Sequence, residues 1–102
     1  MTQRTALADV TLWRADVSDK TVWLLLRLRD GAGREGWGEA TSFGNEAEIT
    51  GLVAHLSDLV RGGDVQGVQP LLAALQQVEI APGRRALLSA LEQAGLDLAA
   101  RR

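Results

Sequence analysis

The chain contains no cysteine and a single histidine, His55. Without cysteine there is no disulfide framework, no thiolate zinc site and no cysteine nucleophile, and one histidine cannot supply a histidine metal cluster within one chain. No apolar run approaches the ~20 residues that a membrane-spanning helix needs. The longest, Val22 to Leu26, stops at Arg27 and has the length of a strand. The opening residues, MTQRTALADV, lack the apolar core and small-residue cleavage site of a secretory signal, which reads as a cytoplasmic protein. A strong charge of either sign is also missing. Eleven basic and 13 acidic side chains are interspersed to a net charge of -2, which gives no field to gather nucleic acid or an anionic membrane surface. No repeat, low-complexity run or Pro/Ser-rich linker divides the 102 residues, so they read as one domain with one core.

What is present begins with alternation. Ala6, Ala8, Val10 and Leu12 fall on one face of a strand and Leu7, Asp9, Thr11 and Trp13 on the other. A short polar segment, Ala15 to Lys20, predicts a compact loop into an antiparallel partner. That second strand places Val22, Leu24, Leu26 and Leu28 against Trp23, Leu25, Arg27 and Arg29; its first half is apolar on both faces, as in a central strand. Asp30-Gly31-Ala32-Gly33 then supplies a hairpin turn with two glycines able to take positive φ. The third strand has Gly36, Gly38 and Ala40 on one side and Glu35, Trp37 and Glu39 on the other. Alternate glycines imply that something lies close against the backbone, and a helix over the sheet would do so.

The period changes at Asn45. Asn45 followed by Glu48 resembles a capping box, and Ile49, Leu52, Val53, Leu56, Leu59 and Val60 form a helical stripe that Gly62-Gly63 ends. A second helix follows Asp64, with Pro70 in its first turn. After a turn at Ala81-Pro82-Gly83, a last helix carries Leu87, Leu91, Ala94 and Leu98 as its core stripe, yet Leu96, Ala99 and Ala100 lie on the opposite side. A helix this apolar all round packs against something besides its own sheet. The expectation is an α+β domain: a three-stranded antiparallel meander with strands over about 6–13, 21–29 and 34–40, then about three helices over about 46–61, 68–78 and 84–101.

No chemistry-bearing constellation emerges from the residues. Gly31 to Gly36 formally fits G-x-G-x-x-G, but a dinucleotide loop needs its glycines between a strand and a helix, and here they lie between two strands. Glu35 and Glu39 sit roughly 13 Å apart along one strand face, too far for a tight acid-base pair. Glu46 and Glu48 suit the first turn of a helix, Asp30 suits the hairpin, and His55 reads as a boundary residue. Trp13, Trp23 and Trp37 all fall on one sheet face, read as packing or interface rather than as a stacking platform. There are no catalytic or metal-binding candidates.

As an ordered set the residues become more specific. Leu26-Arg27-Leu28-Arg29-Asp30-Gly31-Ala32-Gly33-Arg34-Glu35-Gly36-Trp37-Gly38-Glu39-Ala40 resembles the strand, Asp-Gly turn and Gly-Trp-Gly-Glu segment of the N-terminal capping domain of the mandelate racemase/muconate lactonizing enzyme group of the enolase superfamily. Leu59 to Asp64 resembles that family's leucine-then-Gly-Asp junction, and Gln69 to Gln77 its second helix. Ala86 to Arg101, with Asp97 in an Ala-x-x-Asp-Leu core, resembles the helix that leads into the barrel. The resemblance marks Asp30, Gly31, Gly36, Gly38, Glu39 and Asp97 as structural motif residues. It implies a domain that closes over a modified TIM barrel, where Mg²⁺ held by three carboxylates stabilises an enolate formed beside a substrate carboxylate. The bases and the Mg²⁺ site belong to that barrel, so no cofactor is expected in this chain.

Thr41, Ser42 and Phe43 fall where the family's second specificity loop begins and are the substrate-facing candidates, with an ordinary strand-to-helix connection as the other reading. Ala15 to Lys20 is shorter than the family's flexible loop over the active site, and no substrate contact is assigned to it. Leu96 and Ala100 are the interface candidates, facing the barrel or a second copy. The expectation is a truncated or isolated capping domain, inert alone and inclined to form homo-oligomers. The alternative is a free-standing, self-associating or partner-binding module using Leu96 and Ala100.

Overall fold

Apolar-polar alternation through the first forty positions folds into three strands: β1 (Leu7–Asp16), β2 (Val22–Asp30) and β3 (Glu35–Glu39). Two helices follow among the described residues, α1 (Glu46–Arg61) and α2 (Pro82–Ala100). This is a computed structural model, and it describes residues 7–19, 21–62, 73 and 82–101. The strand order is β1-β2-β3, an antiparallel meander with β2 at the centre. The α+β class and the meander are therefore as expected. The helix expected over about 68–78 falls, except for Ala73, outside the described residues.

Both helices lie on one face of the sheet, α1 over β1 and α2 over β3 and β2. Between the layers sit Val10, Leu24, Leu26, Leu28 and Ala40 from the sheet side, with Ile49, Val53 and Leu56 from α1 and Leu87, Ala90, Ala94 and Leu98 from α2. All but Ala90 were on the face that periodicity assigned; in the last helix Ala90 is fully buried, while Leu91, expected in the stripe, is only partly buried. Removing such side chains from water contributes roughly 1.5–3 kcal/mol for each large aliphatic.

Three boundaries differ from the sequence reading, each for a local reason. β1 runs on to Asp16, because Trp13, Ala15 and Asp16 pair with Leu25, Trp23 and Val22. The Ala15–Lys20 loop thereby shrinks to a tight turn closed by the Val17 N–H donating to the Thr21 carbonyl at 2.9 Å. At the other end of β1 the register slips between Leu7 and Asp9, so Leu7, not Ala8, lies opposite Asp30 and packs on the core. One extra residue exchanges the two faces upstream of the bulge. Helix α2 begins at Pro82, so the expected turn at Pro82-Gly83 is already helix. The fixed φ of proline suits a first helical turn, where its missing N–H costs nothing.

Candidate functional site

The β1–β2 turn and the segment after β3 lie at the same end of the sheet. Ala40 donates its N–H to the Leu24 carbonyl at 2.8 Å, and the Leu24 N–H donates to Thr41 Oγ1 at 3.1 Å. A side-chain hydroxyl thus extends the β2–β3 ladder by one step. Asn45 then folds the loop onto itself: its N–H donates to the Ser42 carbonyl at 3.0 Å, and its Nδ2 donates to Ser42 Oγ at 2.9 Å and to the Phe43 carbonyl at 3.2 Å. Gly44 at φ 80° makes the reversal. Both hydroxyls are consumed as braces. What the loop presents outward is the Phe43 ring, 87% exposed.

The capping box expected of Asn45 and Glu48 does not form. Asn45 is the N-terminal cap residue of α1, but its side chain makes no cap hydrogen bond to the helix; its Nδ2 donates into the loop instead. Glu48 instead lies against Gly83 in the first turn of α2: a Cβ on Gly83 would be 2.7 Å from Glu48 Oε1 and 3.0 Å from Asn45 Cβ. A carboxylate there complements the positive end of α2's dipole. Glycine at 83 is what lets the two helix starts meet.

The opposite end of the sheet is fixed by Asp30. This carboxylate is buried and accepts the Ala32 N–H, the Arg34 N–H and Arg34 Nε, each at 3.0 Å. Burial pushes its pKa up; the Arg34 backbone and side-chain donors and the Ala32 N–H outweigh burial and hold it below the ordinary 3.8. The turn closes with the Gly33 N–H on the Asp30 carbonyl at 3.0 Å, and Gly33 takes φ 85°. Gly33, not the motif residue Gly31, supplies the left-handed step of a three-residue hairpin loop.

The sheet face away from the helices carries a network that the sequence reading missed. Asp9 accepts from Thr11 Oγ1 at 2.8 Å and lies 3.4–3.7 Å from the guanidinium groups of Arg27, Arg29 and Arg61. Arg27 also pairs with Glu35 at 3.0 Å and sits 5.7 Å from the centre of the Trp13 ring. Burial tends to raise the Asp9 pKa, but the Thr11 hydroxyl, Arg61 and the charge of Arg29 hold it below the ordinary 3.8. The usable signal was positional: Asp9, Arg27, Arg29 and Glu35 share the odd-numbered face, but only the cross-strand register brings them together. Trp13, Trp23 and Trp37 lie on this same face at 39–50% exposure.

Gly36 and Gly38 meet α2 as the sequence implied. A Cβ on Gly36 would overlap the Ala94 carbonyl oxygen and lie 2.6 Å from the Leu98 nitrogen; one on Gly38 would overlap the Ala90 carbonyl oxygen. The helix is close enough for short side chains to reach the strand edge. The Trp37 N–H donates to Asp97 Oδ2 at 2.9 Å, and the Glu39 N–H donates to Gln93 Oε1 at 3.1 Å. Glu39 thus enters the architecture through its backbone. Leu96 is 74% exposed, and Ala100, one helical turn on, is exposed as well. They are far in sequence from Thr41, Ser42 and Phe43, which the fold gathers in one loop. Beside the hairpin, a shallow cleft of about 540 Å³ is lined by Gly33, Arg34, Glu35, Trp37 and Arg101. Arg34 and Arg101 are ion-paired to Asp30 and Asp97, which leaves that wall charge-balanced.

Among the described residues no three His, Cys, Asp or Glu side chains come together as a metal site. The buried carboxylates Asp9 and Asp30 have their oxygens taken by guanidinium, hydroxyl and amide donors, and His55 stands exposed on α1. No helix among the described residues is long and apolar enough to cross a membrane. A three-stranded antiparallel meander with both described helices on one face, its buried carboxylates Asp9 and Asp30 held by ion pairs and a turn, defines an α+β domain. The chain belongs to the family of mandelate racemase / muconate lactonizing enzyme N-terminal domains, whose family model matches residues 3–102. No curated protein and no solved structure matches the chain.

Proposed function

We propose that this chain is the capping domain of a mandelate racemase/muconate lactonizing-like enzyme and performs no chemistry of its own. In this reading it closes over the mouth of a barrel that abstracts a proton beside a substrate carboxylate, in an isomerase or lyase reaction. The observation that carries the reading is the 41–45 loop, which is braced by three internal hydrogen bonds besides the Leu24–Thr41 link and holds Phe43 outward. Of the three substrate-facing candidates, Phe43 is the reading residue, while Thr41 and Ser42 position it. Among the described residues Mg²⁺ finds no site, since the buried carboxylates Asp9 and Asp30 are already engaged by donors; in this reading the ion belongs to the barrel. Leu96 and Ala100 face that barrel.

Purified chain, Mg²⁺ and a panel of α-hydroxy and α-amino carboxylates in D₂O test the first claim. Solvent exchange of the α-proton at the buffer rate is the expected result; faster exchange would overturn it. The second reading, a self-associating module, draws on the exposure of Leu96 together with the tryptophan face. Leu96→Glu separates the two. In the barrel-bearing enzyme it lowers activity if Leu96 docks on the barrel, whereas in the isolated chain it dissolves a complex if Leu96 is a self-association contact.

A further inference from the structure

β3 is an edge strand, and edge strands with free N–H groups recruit other strands. The two groups at issue, the N–H of Trp37 and of Glu39, are both taken by α2 side chains four residues apart. The spacing explains why one helix can serve both. Four residues of helix rise about 6 Å and two residues of strand advance about 6.6 Å, so an i, i+4 row matches alternate strand positions. Asp97 takes the earlier strand residue and Gln93 the later, so α2 runs antiparallel to β3.

The row continues in both directions. Ser89 Oγ accepts from Gln93 Nε2 at 3.4 Å, and Arg101 holds Asp97 at 3.3 Å, so each outer residue orients the inner one. Behind the row, the seam of Gly36 and Gly38 against Ala94 and Ala90 sets the close approach that lets an aspartate reach a strand amide. We infer that Ser89, Gln93, Asp97 and Arg101 act as a stand-in strand, which occupies the open edge of β3 and keeps a second copy of the chain from pairing there. Asp97 is then an acceptor for the strand edge, and its charge is secondary to its oxygen.

Amide hydrogen exchange by NMR, combined with sedimentation velocity, tests this on the whole chain. In the parent, the Trp37 and Glu39 amides exchange with protection comparable to the β2–β3 ladder. Asp97→Ala accelerates exchange at Trp37 by about tenfold and leaves Glu39 near its parent rate; Gln93→Ala does the converse. The double variant sediments as larger species than the parent at equal concentration. Asp97→Asn, which keeps an acceptor oxygen and loses the charge, restores protection. The inference fails if the Trp37 and Glu39 amides of the parent exchange at unstructured-peptide rates, a result that needs no variant to fold. It also fails if Asp97→Asn behaves as Asp97→Ala, or if the double variant sediments as the parent does.

Discussion

Replacing Gly38 by alanine adds a single methyl group at the tightest seam of the fold. The new Cβ would overlap the Ala90 carbonyl oxygen and lie 3.0 and 3.1 Å from the Ala90 carbonyl carbon and Cα. All three are backbone atoms of a helix interior, so no side chain can swing aside. Helix α2 must withdraw by roughly 1 Å to restore ordinary non-bonded separation. Withdrawal stretches the Trp37–Asp97 and Glu39–Gln93 hydrogen bonds and opens the contacts of Leu87, Ala94 and Leu98 with the sheet. Overpacking costs about 1–3 kcal/mol and two weakened hydrogen bonds about 1 kcal/mol each, which together make a loss of roughly 3–5 kcal/mol. For a domain stable by about 5–15 kcal/mol, that is a large fraction. Urea denaturation followed by tryptophan fluorescence measures it. Two internal standards calibrate the series: Gly51 and Gly95 lie in helices and a Cβ on either meets nothing within 4 Å. Alanine at either should stabilise by up to about 1 kcal/mol. A Gly38→Ala variant as stable as Gly95→Ala would refute the close seam and the role given to the glycines.

Two further outcomes follow from the braces and the buried carboxylates. Thr41→Val leaves the Leu24 N–H without its acceptor and should cost about 1–2 kcal/mol in the same assay; an unchanged midpoint would mean the loop is not tied to β2. Asp9 and Asp30 have folded-state pKa values below the ordinary 3.8, so the stability they contribute is complete above it and drains as pH falls toward the folded values. Denaturation midpoints should be level from about pH 7 to 5 and fall below about pH 4, less steeply in Asp30→Asn. A variant whose acid slope equals the parent's would contradict the donor set at Asp30.

Periodicity was sufficient wherever one side of an element meets the core. It placed Leu24, Leu26 and Leu28 inward, put the three tryptophans together on the other face, and read alternate glycines in β3 as the imprint of a helix. It failed where a single residue decides the geometry. The bulge at Ala8 has no compositional mark, and nothing in Asp30-Gly31-Ala32-Gly33 says which glycine takes positive φ. Asn45 and Glu48 satisfy the spacing of a capping box, yet the Asn45 amide donates within the loop and Glu48 lies beside Gly83 at the start of α2. Partners distant in sequence were the hardest. Asp97 accepts the amide of a residue sixty positions away, and Asp9 gathers Arg27, Arg29 and Arg61 from two other elements. At the candidate site, Thr41, Ser42 and Phe43 were legible as one loop; which of them brace and which faces outward depended on hydrogen bonds that no spacing encodes.

The central claim is that this domain works as part of a barrel enzyme. The most direct test is the intact mass of the polypeptide carrying this sequence in extracts of its source cell, with its native mass alongside. A polypeptide several times the 10.9 kDa of this chain, or a stable complex with a barrel-sized partner, is the expected result. A free species of 10.9 kDa, or multiples of this chain alone, would contradict it and turn the search to what the tryptophan face and Leu96 bind.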